Sequence, residues 1–302
     1  MVMTLEKRIE QDLKELYNSG IFKLIQQIKK CQILAAKQLS LDLFGTPNEL
    51  SIHGLPGYFT GKRDAVTVMV MLNPGGSVIS HNNPFATELT LTNLGMPSSS
   101  SLVDFVQSFM DGSEKFGDID KDRLDNFDIK QAAFLKPWHR SGVKIPDPFP
   151  TKDDKNLLKE AKRNVLMQKL QLELIPYASR EFKDIDKNKI KYLFPYVETL
   201  FEEIFTHQRT YVIFCSDFFD KLFKEYNKAP NLGSIDFDEK KNKILFKKNR
   251  RAYCTPIRIH YKGNSIKALI AHTFPNKSLP NAYNLMEQYG AFCYDKFTNS
   301  TI

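Results

Sequence analysis

Residues 65 to 72, AVTVMVML, constrain the fold more than any other part of this sequence. They form a continuous apolar run, and Asn73, Pro74, Gly75 and Gly76 follow at once. A run of this length that ends in turn residues predicts a strand buried on both faces. Ligand sites in open α/β sheets lie just beyond such strands, so Asn73 occupies a position suited to a functional polar group. The alternative is a buried strand followed by an ordinary turn.

Further segments repeat the pattern of an apolar strand followed by a helix. The predicted strands are residues 170–177 (LQLELIPY), 210–215 (TYVIFC) and 267–271 (KALIA). Helical periodicity covers residues 187–208, 218–226 and 281–289. Strands that alternate with helices usually form parallel sheets. The sequence therefore predicts an α/β fold with three α/β/α layers and a mostly parallel, four-stranded central sheet.

The 302 residues are interpreted as a single domain with three additions to its core. Residues 1–45 contain two helical patterns and predict an N-terminal helical extension. Residues 112–160 are charged and contain several prolines, so they are interpreted as a surface insertion. Trp138, the only tryptophan, lies within this segment as a buried anchor or, alternatively, as an aromatic residue that contacts DNA. Residues 236–262 form the other insertion.

The insertion at residues 236–262 predicts a basic β-hairpin. It contains the β-prone segments KILFKK and IRIHY, with Lys247, Lys248, Arg250 and Arg251 between them. A basic ribbon can lie along a phosphate backbone, and a solvated hairpin is the alternative. The formal net charge of +8 favours a polyanionic partner such as nucleic acid, although many basic proteins bind none.

Composition excludes several classes of protein. No apolar run is long enough to cross a bilayer, and the N-terminus lacks the apolar core of a secretion signal, so we expect a cytoplasmic protein without membrane contact. The four cysteines are too far apart for a zinc or iron–sulfur motif, so we expect no metal and no cofactor. The absence of G-x-S-x-G, P-loop and G-x-G-x-x-G motifs disfavours an unrelated α/β hydrolase or nucleotide-binding protein.

Three segments resemble the uracil-DNA glycosylase superfamily. In the first, MLNPGG, a strand ends in Asn-Pro, and Phe85 lies twelve residues after Asn73, where the family places a base-stacking phenylalanine. The second, TYVIFCSDFFDKLF, is similar to the family's penultimate strand and helix. In the third, AHTFPN, His272 and Pro275 keep the family's His-x-x-Pro spacing. The resemblance covers residues 50 to 290 and depends on the order of these segments rather than on any one motif.

The resemblance implies a monofunctional DNA-base glycosylase that hydrolyses the N-glycosidic bond of a flipped-out uracil or modified base. Asn73 would orient the attacking water, because an amide is too weakly basic to deprotonate it. His272 would donate a hydrogen bond to the departing base as negative charge develops. The implied base-binding residues are Pro74, Gly75, Phe85 and Asn276. The implied DNA contacts are Lys277 and Ser278 at phosphates and Leu279 as a wedge.

Glu173 departs from the family pattern, in which an asparagine often reads the uracil edge. A carboxylate only accepts hydrogen bonds, so Glu173 suits a base edge that presents donors and favours a base other than uracil. Alternatively, Glu173 faces solvent from an edge strand, while His272 and Phe85 are ordinary core residues. The second functional hypothesis is a non-catalytic nucleic-acid-binding module on the same fold. In either case we expect a monomer that binds single- or double-stranded DNA.

Overall fold

The computed structural model describes residues 3–18, 34–47, 49–50, 58–72, 126–151, 153–177, 179, 184–229, 233–238, 242–246, 250–272 and 283–302. The helices in these ranges are α1 (Leu5–Asn18), α2 (Leu34–Phe44), α3 (Asn126–Leu135), α4 (Lys155–Met167), a 3₁₀ helix (Lys187–Leu193), α5 (Phe194–Thr206), α6 (Phe218–Tyr226) and α7 (Tyr283–Asn299). None of these described helices is long and apolar enough to cross a membrane.

The strands join one mixed sheet. They are β1 (Phe59–Gly61), β2 (Thr67–Met71), β3 (Leu170–Glu173), β4 (Tyr211–Phe214), β5 (Ser234–Phe237), β6 (Asn242–Phe246), β7 (Arg250–Tyr261) and β8 (Asn264–Ala271). Their order is β1-β3-β2-β4-β8-β7-β5, and β6 pairs with β7. Both β2 and β8 run parallel to β4, whereas β7 is antiparallel to β8, β5 and β6. The α/β prediction is confirmed.

The predicted four-stranded sheet is too small, because the described residues alone contribute eight strands to it. The four predicted strands lie side by side as β3-β2-β4-β8. The sequence predicts residues 236–262 as a hairpin outside this sheet, but their strands are part of it. The reason is that β7 pairs with β8 from Cys254↔Ala271 to Tyr261↔Asn264. Its alternate residues Ile257 and Ile259 are fully buried, as expected for an antiparallel strand with one face on the core.

The opening apolar run forms the buried centre of the sheet, as predicted. Every residue of β2 and of β4 is buried. Val68 pairs with Val212 and Met69 with Ile213, which places two β-prone apolar runs side by side. Strands that are covered on both faces need no polar alternation, so a continuous apolar run is the pattern they produce.

The described part of residues 112–160 includes a core helix, so the prediction of a surface insertion is wrong for residues 126–138. Ala132, Ala133 and Phe134 of α3 are completely buried, and Ala133 and Phe134 belong to a cluster that includes residues of α7. Trp138 is 2% exposed and lies edge-on to Tyr211 at a centroid distance of 5.2 Å, which confirms its role as a buried anchor. Charged neighbours hide this segment in the sequence, because only a short stretch between them is apolar.

Contacts divide the chain into two compact units. The first comprises Met1–Thr60, Leu72–Asp118 and Leu172–Glu203. The second comprises Gly61–Met71, Ile119–Gln171 and Ile204–Ile302. The second unit therefore contains β2, β4 to β8 and the helices α3, α4, α6 and α7. Strands β1 and β3 and helix α5 each contribute residues to both units.

Within the first unit, polar side chains of α1 are buried. The carboxylate of Asp12 accepts hydrogen bonds from the hydroxyl groups of Tyr58 and Tyr177. Burial raises the pKa of Asp12, and the two tyrosine hydrogen bonds oppose that shift. The Arg8 guanidinium lies 4.0 Å from the centre of the Tyr196 ring. Helix α1 is therefore held by specific polar contacts as well as by apolar packing.

Candidate nucleic-acid interface

The carboxyl ends of β2, β4 and β8 lie at the same edge of the sheet, because β2 and β8 are both parallel to β4. Neighbouring strands are about 4.8 Å apart, so β2 and β8 are separated by about 10 Å. His272 follows the last residue of β8 and is 7% exposed. One of the two predicted catalytic residues thus lies at the edge where α/β sheets bind ligands.

The other residues predicted near this edge lie outside the described residues. They are Asn73, Pro74, Gly75, Phe85, Asn276, Lys277, Ser278 and Leu279. Asn73 follows Leu72, which is the first residue after β2. Their roles remain predictions, whereas His272 at this edge lies among described residues.

The backbone of His272 is held by the hydroxyl group of Tyr289. The His272 N–H donates to Tyr289 Oη at 2.6 Å, and this hydroxyl donates to the Tyr253 carbonyl at 2.6 Å. Cys254 and Ala271 are the last paired residues of β7 and β8, and the next residues, Tyr253 and His272, lie opposite each other. The Tyr289 hydroxyl bridges the backbones of these two residues. Burial raises the pKa of Tyr289 well above its ordinary value, which keeps the bridging proton in place.

The imidazole of His272 lies against the ring of Tyr253. The two ring centroids are 6.1 Å apart, and the ring planes are inclined by 17°. Such near-parallel rings favour an offset stacked arrangement. The ring contact and the Tyr289 hydrogen bond together fix His272 at the end of β8, close to the first residues of β7.

The exposed face of β6 and β7 continues from this ring pair. Lys243 pairs with Tyr253, and Leu245 pairs with Arg251. Directly opposed residues share one face of a sheet, and so do residues two apart on a strand. Lys243, Leu245 and Arg251 are exposed, and Tyr253 is half-buried. We call these four residues the ribbon face, and it leads directly to His272.

The reverse side of the same two strands is part of the core. Phe246, Ala252 and Cys254 are buried in the cluster that includes Met286 and Tyr289 of α7. The ribbon is therefore a sheet surface backed by a helix, with only one side available to a partner.

The predicted basic residues of this segment differ in how much of each the structure describes. Arg251 is exposed on the ribbon face. Arg250 begins β7, but its side chain is outside the described part of the structure, and Lys247 and Lys248 are outside it entirely. No sequence pattern identifies Tyr253 and Tyr289 as neighbours of His272, because their relation to it depends on the β7–β8 register. The alternation of Arg251 and Tyr253 with buried Ala252 and Cys254 is the signal that indicates a two-sided strand.

Glu173 lies in the first unit, whereas His272 belongs to the second. It ends β3, and its backbone N–H donates to the Tyr58 carbonyl at 3.0 Å. Because β3 lies between β1 and β2 in the sheet, the interpretation of Glu173 as an edge-strand residue is wrong. The half-buried side chain lines an internal cavity together with Arg8, Tyr58, Tyr196, Thr199 and Glu203.

The cavity beside Glu173 is small. It leaves about 10 Å³ for the centre of a water molecule, which is room for about one water. Its walls include apolar residues such as Leu5, Leu172 and Leu200, and it is too small to hold a base. The base-reading role of Glu173 therefore stays a prediction, and it requires this cavity to enlarge.

Metal ligation has no support within the described ranges. There, no group of three or more His, Cys, Asp or Glu side chains is placed to hold a metal ion.

Cys215, Cys254 and Cys293 are buried free thiols. Burial, with the neighbouring Cys254 thiol, raises the pKa of Cys293 well above its ordinary value. A protonated thiol is a poor ligand and a poor nucleophile.

Tyr289→Phe is expected to destabilise the protein by about 1–3 kcal/mol, because it leaves the His272 N–H and the Tyr253 carbonyl without their bridging group. Urea unfolding measures this loss. Tyr192→Phe is the matched control: Tyr192 is 41% exposed, so its change should stay within about 0.5 kcal/mol. If both variants unfold at the wild-type urea concentration, the bridge contributes nothing to stability.

Comparison of the chain with protein-family models, with curated proteins and with solved structures gave no match. The basis for a functional proposal is therefore the chemistry of His272 and of the ribbon face.

Proposed function

We propose that this protein binds DNA and hydrolyses the N-glycosidic bond of a flipped-out uracil or modified base. The observation that supports the proposal is the continuity between the ribbon face and His272. An exposed basic surface leads, through the Tyr253 ring, to a histidine at the carboxyl edge of a parallel strand. The proposal includes the finer architecture predicted from the sequence, a three-layer glycosylase-like α/β/α core that acts as a monomer.

Binding would begin with the charges of the ribbon face. Lys243 and Arg251 are exposed on adjacent strands, so both can approach phosphates from the same side. Each contact releases counterions from the DNA, which makes the affinity dependent on salt concentration. The net charge of +8 adds a general attraction to polyanions.

The reaction needs one water molecule. The water oxygen forms a bond to C1′ of the sugar, the bond between C1′ and the base nitrogen breaks, and its electron pair leaves with the base. The proton lost by the water balances the charge of the departing base. Positive charge develops on the sugar in such reactions, as in glycoside hydrolysis.

His272 is suited to the leaving-group side of this reaction. A donor that is fixed before the reaction stabilises negative charge without a cost of reorganisation at the moment of bond cleavage. The hydrogen bond from the backbone N–H of His272 to Tyr289 fixes the histidine backbone, and the contact with the Tyr253 ring fixes the imidazole. Asn73 would act on the other side by orienting the water, with its contribution limited to positioning.

A non-catalytic nucleic-acid-binding module is the second candidate. The ribbon face accounts for DNA binding without any contribution from Asn73. The cavity beside Glu173 has room for about one water molecule, about 10 Å³, so it does not hold a base. This candidate predicts salt-dependent DNA binding without formation of abasic sites.

Oligonucleotides that each carry one uracil or one modified base separate the two candidates. Each oligonucleotide is incubated with the protein and then treated with alkali, which cleaves the strand at an abasic site. We expect cleavage at the unusual base in at least one member of the panel. Binding to the panel without alkali-sensitive sites in any member would contradict the hydrolase and support the binding module.

A further inference from the structure

We infer that the ribbon face binds single-stranded DNA, with Tyr253 stacking on an unpaired base and Lys243 and Arg251 contacting the flanking phosphates. The inference deepens the proposed function, because it specifies the form of DNA that the site accepts. It rests on the arrangement of aromatic, basic and apolar groups on one surface.

The ribbon face combines the groups that bind a single strand. Tyr253 faces Lys243 across the two strands, and Arg251 lies two residues along β7, about 7 Å away. Proteins that bind single strands pair a positive surface for the backbone with aromatic rings for the bases. Leu245, which is 64% exposed beside Arg251, adds an apolar contact for a base or sugar.

Stacking on Tyr253 requires a base whose face is free. In a duplex the faces of the bases are covered by their neighbours, so a surface ring reaches only edges and backbone. In a single strand every base presents a face, and stacking is possible without sequence preference. An aromatic residue between two basic residues therefore favours an unpaired strand.

The main alternative is insertion of the ribbon into a duplex groove. The major groove, about 12 Å wide, admits a two-stranded ribbon alone. Here the reverse side of the ribbon packs on α7 through Phe246, Ala252 and Cys254. A helix adds about 10 Å to the thickness of the sheet, so the helix-backed ribbon described here is too thick to enter the groove.

The position of His272 is consistent with the same form of DNA. Its ring lies near-parallel to Tyr253 at 6.1 Å, so a strand that stacks on Tyr253 passes beside the histidine. A base in a single strand needs no unpairing before it enters a site, which lowers the cost of presenting it.

Fluorescence anisotropy with a labelled single strand of ordinary bases, and with the same strand in a duplex, tests the inference. We expect the wild-type protein to bind the single strand at least tenfold more tightly. Tyr253→Ala should weaken single-strand binding by about 5- to 150-fold, whereas Tyr253→Phe should retain most of the affinity. Arg251→Ala should reduce the slope of log K against log salt by about 0.7.

Lys262→Ala is the matched control for charge. Lys262 lies in the turn between β7 and β8, roughly 30 Å along the strand from the ribbon face, and its loss should leave the affinity unchanged. Equal binding of single strand and duplex, or wild-type affinity in Tyr253→Ala with an unchanged urea midpoint, would overturn the inference. Ordinary bases are used, so this result does not depend on base release. If the alkali-cleavage assay shows base release from duplex DNA and none from single strands, the inference is overturned and the proposed function remains intact.

Discussion

Replacing His272 by alanine is expected to lower the rate of base release by about 10²- to 10³-fold, which is the usual cost of losing one preorganised hydrogen-bond donor. The DNA affinity should change little, because the ribbon face contributes the phosphate contacts. Single-turnover kinetics with enzyme in excess over a substrate oligonucleotide separate these two effects. Asn73→Ala is expected to lower the same rate, since the attacking water would lose its orientation.

His260→Ala provides the matched control for His272→Ala. His260 lies near the other end of β7, where it contacts Asp236 at 2.8 Å on the surface. An exposed polar contact of this kind contributes at most about 1 kcal/mol to stability, so this variant should fold and release base at the wild-type rate. Wild-type rates in both His272→Ala and Asn73→Ala would contradict the catalytic roles of these residues.

Gly290→Ala is expected to destabilise the protein by about 3 kcal/mol or more, the upper range for an overpacked core. A Cβ atom at this position would lie 2.0 Å from the Phe134 carbonyl oxygen and 2.8 Å from its carbon. Backbone atoms cannot rotate away as a side chain can, so α3 and α7 would have to separate. Tyr289, the next residue along α7, would then lose its position beside His272.

Thermal and urea unfolding measure the effect of Gly290→Ala. Ala291→Ser, at an exposed position of the same helix, should change the free energy of unfolding by no more than about 0.5 kcal/mol. A Gly290→Ala variant with wild-type stability would show that α3 and α7 do not approach as closely as described.

Four strands of the sheet, β2, β3, β4 and β8, and several helices are predictable because their signals are local. The runs that form β2 and β4 are buried throughout, β8 ends in the buried apolar residues 268–271, and the helix predicted at residues 218–226 has the bounds of α6. The sequence does not predict α3 as a core helix, because its apolar stretch is short and contains the polar residue Gln131, which is completely buried. A polar residue in a short apolar stretch predicts a surface, whereas tertiary packing places this one inside.

The candidate site is only partly predictable. The position of His272 at the carboxyl edge is predictable, because the alternation of strands and helices indicates a parallel sheet and His272 follows its last strand. The contacts of His272 with Tyr253 and Tyr289 depend on the Cys254↔Ala271 register, which no local pattern specifies. The edge-strand alternative for Glu173 failed for a similar reason, because the place of β3 within the sheet depends on pairing with distant segments.

The central claim is tested most directly by mass spectrometry of a single-stranded oligonucleotide after incubation with the protein. The account predicts free base in the supernatant and an equal amount of strand that has lost the base and gained the elements of water. Both products should form with the wild-type protein and should fall at least a hundredfold with His272→Ala. A strand of unchanged mass for every base tried, at protein concentrations that saturate binding, would contradict it.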